Sequence, residues 1–178
     1  LLEVIPAGFA LALVFVQHLH PQQDDFLVEH LSKACRLPVK EAEEKEAVKG
    51  GVVYLAPANY HLLIEADKTF SLSTDEKVNF SRPSIDVLFE TAAEAYGAGL
   101  IGVILTGASR DGAAGLRRIK EKAGIAIVQD PLTAEYPTMP LAAIEETQTD
   151  CVLSIDQIGR LLCELGGPRQ PRPTGEGK

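Results

Sequence analysis

Residues 104–116 read Ile-Leu-Thr-Gly-Ala-Ser-Arg-Asp-Gly-Ala-Ala-Gly-Leu. An apolar run ends in a glycine-rich turn that opens into a helix. This is the join at which a parallel α/β fold sets either a phosphate cradle or a functional side chain. A phosphate loop needs G-x-G-x-x-G or Gly-Lys-Ser/Thr, and the glycines at 107, 112 and 115 make neither pattern. Asp111 would stand among the amides meant for a pyrophosphate and repel it. Asp130 ends the next strand at a distance suited to a ribose contact, yet the Tyr-x-x-x-Lys of reductases that open on Thr-Gly-Ala-Ser is absent. The turn is read as presenting Asp111.

Outward from this turn the chain alternates strands and helices. Leu100 to Leu105 is a strand, a helix runs from about Gly112 to Lys122, and a strand follows at Ile125 to Val128. Met139 to Glu146 reads as a helix, Cys151 to Leu153 as a short strand and Ile155 to Leu165 as a last helix. Upstream, Ser81 or Ser84 is the N-cap of a helix that buries Ile85, Leu88, Phe89 and Ala92 and stops at Gly97. Leu11 to Val16 is a strand buried on both faces, and a helix with Asp24 and Asp25 at its positive end follows it. Between them lie short strands at Leu37 to Val39, Val52 to Leu55, Tyr60 to Glu65 and Thr69 to Ser73. The last two are joined as a hairpin around Ala66-Asp67-Lys68. The expected fold is α/β and doubly wound: a mostly parallel sheet, helices on both faces and an antiparallel hairpin section.

The bulk properties agree. The chain has 178 residues, 46% of them hydrophobic and only 6% aromatic, as an aliphatic core in one soluble domain requires. A net charge of −8 without a basic cluster argues against nucleic acid. Cys35, Cys151 and Cys163 are widely spaced and form no C-x-x-C, so core-filling thiols are expected rather than a zinc knuckle. No apolar run approaches the ~18 residues of a membrane span, and a secretory signal pattern is lacking, so a cytoplasmic location is expected. Residues 1–165 are taken as one folded domain and 166–178, rich in Gly, Pro and charge, as a flexible tail.

Function in open parallel sheets gathers beyond the carboxyl ends of the strands. His18 follows the strand Leu11 to Val16 as Asp111 follows Leu100 to Leu105, so the two are expected to be neighbours. A His with an Asp behind it is two-thirds of a nucleophilic triad. No serine of this chain stands in G-x-S-x-G, and spacing alone leaves open a capping Asp beside a solvated His. Arg82 and Asp86 are read as either a structural pair or substrate contacts.

Six stretches in order, VFVQHLHP, VKEAEEKE, VYLAPANYHLLIE, VNFSRPSIDVLFETAAEAYG, GVILTGASRDGAAGL and VQDPLTAEYPTMPLAAI, resemble the catalytic domain of the CheB-type protein-glutamate methylesterases of bacterial chemotaxis. The likeness spans about Leu1 to Leu162 and is closest to the stand-alone or fused-domain branch. It implies a serine hydrolase of chain order Ser, His, Asp, with His18 as general base and Asp111 as its orienting carboxylate. The resemblance places the nucleophile in a G-x-S-x-G-G turn upstream of Leu1. Ala108, where many relatives carry Met, would supply an oxyanion-binding backbone N–H, and Met139 would lie near the pocket. The implied reaction is acyl transfer from methylated glutamate, with glutamine deamidation as a second activity. No cofactor or metal is called for. The implied partners are the cytoplasmic helices of methylated chemoreceptors, together with fused or associated signalling domains.

Two other classes stay open. His18-x-His20 resembles the opening of a metal-dependent hydrolase, though the chain is short for the (β/α)₈ barrel that class uses and His61 lies in the hairpin region; His20 and His30 are otherwise read as surface residues. A non-catalytic binding module with the esterase fold is the other, and the acidic runs EAEEKE and IEETQTD could serve as its partner surfaces.

Overall fold

The computed structural model describes residues 1–18 and 24–167. Two three-stranded parallel sheets and one hairpin carry the architecture. In the first sheet β1 (Leu13–Phe15) and β2 (Val39–Glu41) flank β3 (Val53–Leu55), with Leu13 and Val39 both opposite Val53. α1 (Asp24–Ala34) connects the first two of these strands. β4 (His61–Ile64) and β5 (Phe70–Ser73) form the antiparallel hairpin, closed by the Lys68 N–H on the Glu65 carbonyl. α2 (Ile85–Tyr96) leads into β6 (Ile101–Ile104), α3 (Ala113–Glu121) and β7 (Ile125–Gln129). α4 (Thr138–Glu146), β8 (Cys151–Leu153) and α5 (Ile155–Gly166) complete the chain, and the second sheet has the order β6-β7-β8.

Alternation along the strands sorts the core onto two faces. Val53 and Ile127 pack with Ile158 and Leu162 of α5 and with Leu2, Ile5 and Phe9 of the N-terminal segment, while Leu31 of α1 borders the same cluster. Their neighbours Tyr54, Ala126 and Val128 point the other way, into clusters built by α2, α3, α4 and the hairpin. The doubly wound α/β arrangement is therefore present. Tyr54 and Phe70 join strand to hairpin edge-to-face at 4.8 Å.

Some boundaries differ from expectation, and the structure decides between the two expected caps of α2. β2 begins at Val39 rather than Leu37, because Pro38 has no N–H and serves only as acceptor, to Val53 N–H. Of the two possible caps of α2 it is Ser84 that accepts from Val87 N–H. α5 extends through Gly166, which is held by Ala10 N–H and lies so close to the Phe9 ring that a Cβ there would meet it at 2.3 Å. The tail from residue 168 onward lies outside the described residues. The three cysteines are free and half-buried.

Each sheet has a strand with one unpaired edge facing away from its partner. β1 pairs only with β3, and β6 only with β7, among the described residues. Leu13 and Phe15 of β1 and Ile101 and Val103 of β6 border the same core cluster.

Candidate active site

β1 ends three residues before His18, and β6 ends seven residues before Asp111. The two side chains meet: His18 Nε2 lies 2.9 Å from Asp111 Oδ2 across 93 residues of sequence. Asp111 is fully buried, whereas the His18 side chain remains 26% exposed. A carboxylate can only accept, so Nε2 carries the proton and donates. The lone pair of Nδ1 is then the basic position of the ring.

Asp111 is more than a partner for His18. Its Oδ1 accepts from Ser84 Oγ at 2.7 Å, Asp86 N–H at 3.2 Å and Asn79 Nδ2 at 3.3 Å, and its Oδ2 also accepts from Ile85 N–H at 2.7 Å. Two of these donors are the first amides of α2, so the carboxylate sits on the positive end of that helix. Burial pushes the Asp111 pKa upward, but the hydrogen bonds from His18, Ile85, Ser84 and Asp86 outweigh it and hold the group below the usual carboxylate range. The group stays ionised where a triad needs it so.

Asp86 returns the exchange. Its Oδ1 accepts from Gly112 N–H at 3.0 Å and Gly115 N–H at 2.7 Å, the opening amides of α3, and its Oδ2 accepts from Asn79 Nδ2 at 2.7 Å. The start of α2 is thus capped by a carboxylate from the loop that leads into α3, and the start of α3 by a carboxylate of α2. Gly112, at φ 98°, and Gly115, where a Cβ would lie 3.0 Å from Asp86 Cα, allow the close approach. Burial and the nearby Asp111 charge raise the Asp86 pKa against those hydrogen bonds.

The loop before Asp111 is tied on its other side. Gly107 donates from its N–H to the Tyr136 carbonyl and accepts from Met139 N–H, both at 2.9 Å. Met139 is buried, and its Sδ and Cε lie against Gly107, where a Cβ would meet them at 2.8 and 2.6 Å. Ala108 is exposed, and among the described residues its N–H has no hydrogen-bond partner.

Arg82 is not paired with Asp86. It donates to the carbonyls of Thr74 and Asp75 instead. Asn79 and Ser84 join the site beyond what the sequence reading named, the N-cap position being the available signal for Ser84, and Asp86, read as a structural pair with Arg82 or a substrate contact, binds the α3 amides instead. His61 is buried, with Nε2 3.0 Å from the Glu76 carbonyl, and His20 lies outside the described residues. Among the described residues no three His, Cys, Asp or Glu side chains converge as a metal site would require. No helix among them is long and apolar enough to cross a membrane.

Comparison with known proteins points one way. The family model described as CheB methylesterase matches residues 1–162. A Leptospira interrogans relative, provisionally named protein-glutamate methylesterase/protein-glutamine glutaminase, is 58% identical over 165 residues, which cover 93% of this chain and 86% of its own. A Mesorhizobium japonicum relative of the same name is 36% identical over 163 residues, with 92% of this chain and 48% of its own covered. The solved CheB methylesterase catalytic domain of Thermotoga maritima superposes with a TM-score of 0.88 at 38% identity, covering 92% of this chain and 88% of that one.

Proposed function

Because the chain belongs to the CheB methylesterase family, we propose that it is the catalytic domain of a protein-glutamate methylesterase that also deamidates glutamine. The observation that carries the reading is the His18–Asp111 pair, with a buried carboxylate held ionised by five donors.

In this reading the nucleophile is a serine on a G-x-S-x-G-G turn N-terminal to Leu1. The open edges of β1 and β6 support the placement, since one parallel strand between them would end at the same carboxyl end as His18 and Asp111. His18 takes the serine proton at Nδ1 while Asp111 stabilises the imidazolium that forms. The serine oxygen attacks the γ-carbonyl of a methylated glutamate, and the Ala108 N–H donates to the developing oxyanion. His18 returns the proton to the departing methanol, leaving a glutamyl ester on the serine. Water, deprotonated by His18, then attacks that ester and regenerates serine and free glutamate. For glutamine the same steps expel ammonia. Met139 supports the oxyanion loop from beneath through Gly107. No step calls for a metal or organic cofactor.

The substrate side belongs to the proposal as well: cytoplasmic helices of methylated chemoreceptors, met in the cytoplasm, with fused or associated signalling domains as further partners. The decisive measurement is methanol release from a carboxyl-methylated receptor fragment by the protein carrying its natural upstream segment. His18→Ala and Asp111→Asn should each lower kcat by about 10³-fold or more, the scale of triad losses elsewhere. A parent that releases no methanol from several receptors would favour the binding module instead.

A further inference from the structure

Gln129 is the last residue of β7, opposite Leu153 of β8, and its side chain is buried. A buried primary amide is costly unless both of its ends are bonded. Here Oε1 accepts from Thr106 N–H at 2.9 Å, and Nε2 donates to the Thr133 carbonyl at 3.1 Å. An amide donor on one side and a carbonyl on the other allow only this orientation of the group.

The bond from Thr106 replaces one that the sheet would have made. Ile104 opposite Val128 is the last pair of β6 and β7, and Ile125 N–H on the Leu100 carbonyl fixes which β6 amides face β7. By that alternation Thr106 N–H would next reach the main-chain carbonyl of Gln129. It takes the side-chain oxygen instead, so a side chain extends the ladder after the strands have parted.

The tie passes on from Thr106 to the peptide before Ala108. Thr106 Oγ1 accepts from Tyr136 N–H at 2.8 Å, Gly107 N–H donates to the Tyr136 carbonyl, and the Gly107 carbonyl accepts from Met139 N–H. Met139 is the second residue of α4, whose N-cap Pro137 makes no side-chain bond, so the Gly107 carbonyl stands in for the cap. The Gly107–Ala108 peptide is trans, and a trans peptide points its N–H opposite to its C=O. With the carbonyl on α4, the Ala108 N–H is turned away from that helix. The positive end of α4 polarises the peptide and makes this N–H a better donor.

We infer that Gln129 is a positioning residue for the reaction, fixing the direction of the Ala108 N–H through Thr106 and Gly107. This rests on the methylesterase reading, which assigns that N–H to the oxyanion. The site then has two separately held halves. Asp111 is held by Asn79 and the start of α2, and the oxyanion donor is held from β7. Loss of the Gln129 amide should slow the chemical step and leave the base as it was.

The test is methanol release from a methylated receptor cytoplasmic fragment by the protein with its upstream segment. Gln129→Met roughly keeps the side-chain volume and loses both bonds. It should lower kcat about 10²-fold, the scale of a lost oxyanion donor, and change KM by no more than about twofold. The acid limb of kcat/KM, which reports the base, should stay where the parent shows it. Thr106→Val should lower kcat about tenfold, and Thr106→Ser, which keeps the oxygen, should recover most of that loss. A parent-like kcat in Gln129→Met, a KM that rises as far as kcat falls, or a displaced acid limb would overturn the inference and leave the esterase reading intact. Should Gln129→Met fail to fold, the Thr106 pair decides, and equal kcat in its Val and Ser variants overturns the inference. A parent that releases no methanol overturns both.

Discussion

The carboxylate of Asp111 serves two structures through different donors. Toward His18 it sets a tautomer, and toward Ser84, Ile85 and Asp86 it closes the start of α2. Asp111→Ala strands a buried hydroxyl and the first two amides of α2, so its unfolding free energy should fall by about 3 kcal/mol or more in urea titrations. The same titrations over pH carry a sign. Asp111 has a depressed pKa, so its stabilisation is present at neutral pH and is lost as pH falls through that depressed value. Asp86 acts oppositely: its raised pKa makes ionisation a penalty at neutral pH, relieved as pH falls through the raised value. The parent should therefore show an acid limb in stability below the usual carboxylate range that Asp111→Ala lacks.

At the level of elements, the reciprocal capping of α2 and α3 governs what the site tolerates. Ser84→Ala removes both the N-cap of α2 and a donor to Asp111, and should cost about 1–2 kcal/mol in thermal or chemical unfolding. Gly115→Ala should cost more, because the new Cβ meets Phe89 Cβ at 2.6 Å and Asp86 backbone that has no room to move. The strands and helices themselves were legible in the sequence, since hydrophobic runs, the Ser84 cap and Gly97 are local signals. That His18 and Asp111 are neighbours was legible as well, because both lie just past strand ends. Asn79 and Asp86 were not. Their bonds to Asp111 and to the α3 amides reach across 25 to 32 residues, and no periodicity encodes them. Arg82 misled for the same reason: its targets are the carbonyls of Thr74 and Asp75, which leave no trace in side-chain spacing.

For the molecule as a whole, the two half-sheets set the next expectation. Leu13 N–H bonds to Val52 and the Phe15 carbonyl accepts from Ala56, so the intervening Val14 turns its N–H toward the free edge of β1. On β6 the same alternation, fixed by Ile125 N–H on the Leu100 carbonyl, turns Ile101 and Val103 outward. In a protein that includes the upstream strand, hydrogen exchange at Val14, Ile101 and Val103 should be as slow as at Val53 of the central β3. Fast exchange there would argue against a strand between the two edges.

The double duty of Asp111 also bears on how related chains are to be judged. A descendant that gave up hydrolysis and kept only a binding task would still need this aspartate, because α2 and α3 are docked through it. His18 is half-open to water and closes no helix. An aspartate at this place in a chain testifies to an intact framework, and the histidine is the residue whose loss would mark a retired enzyme.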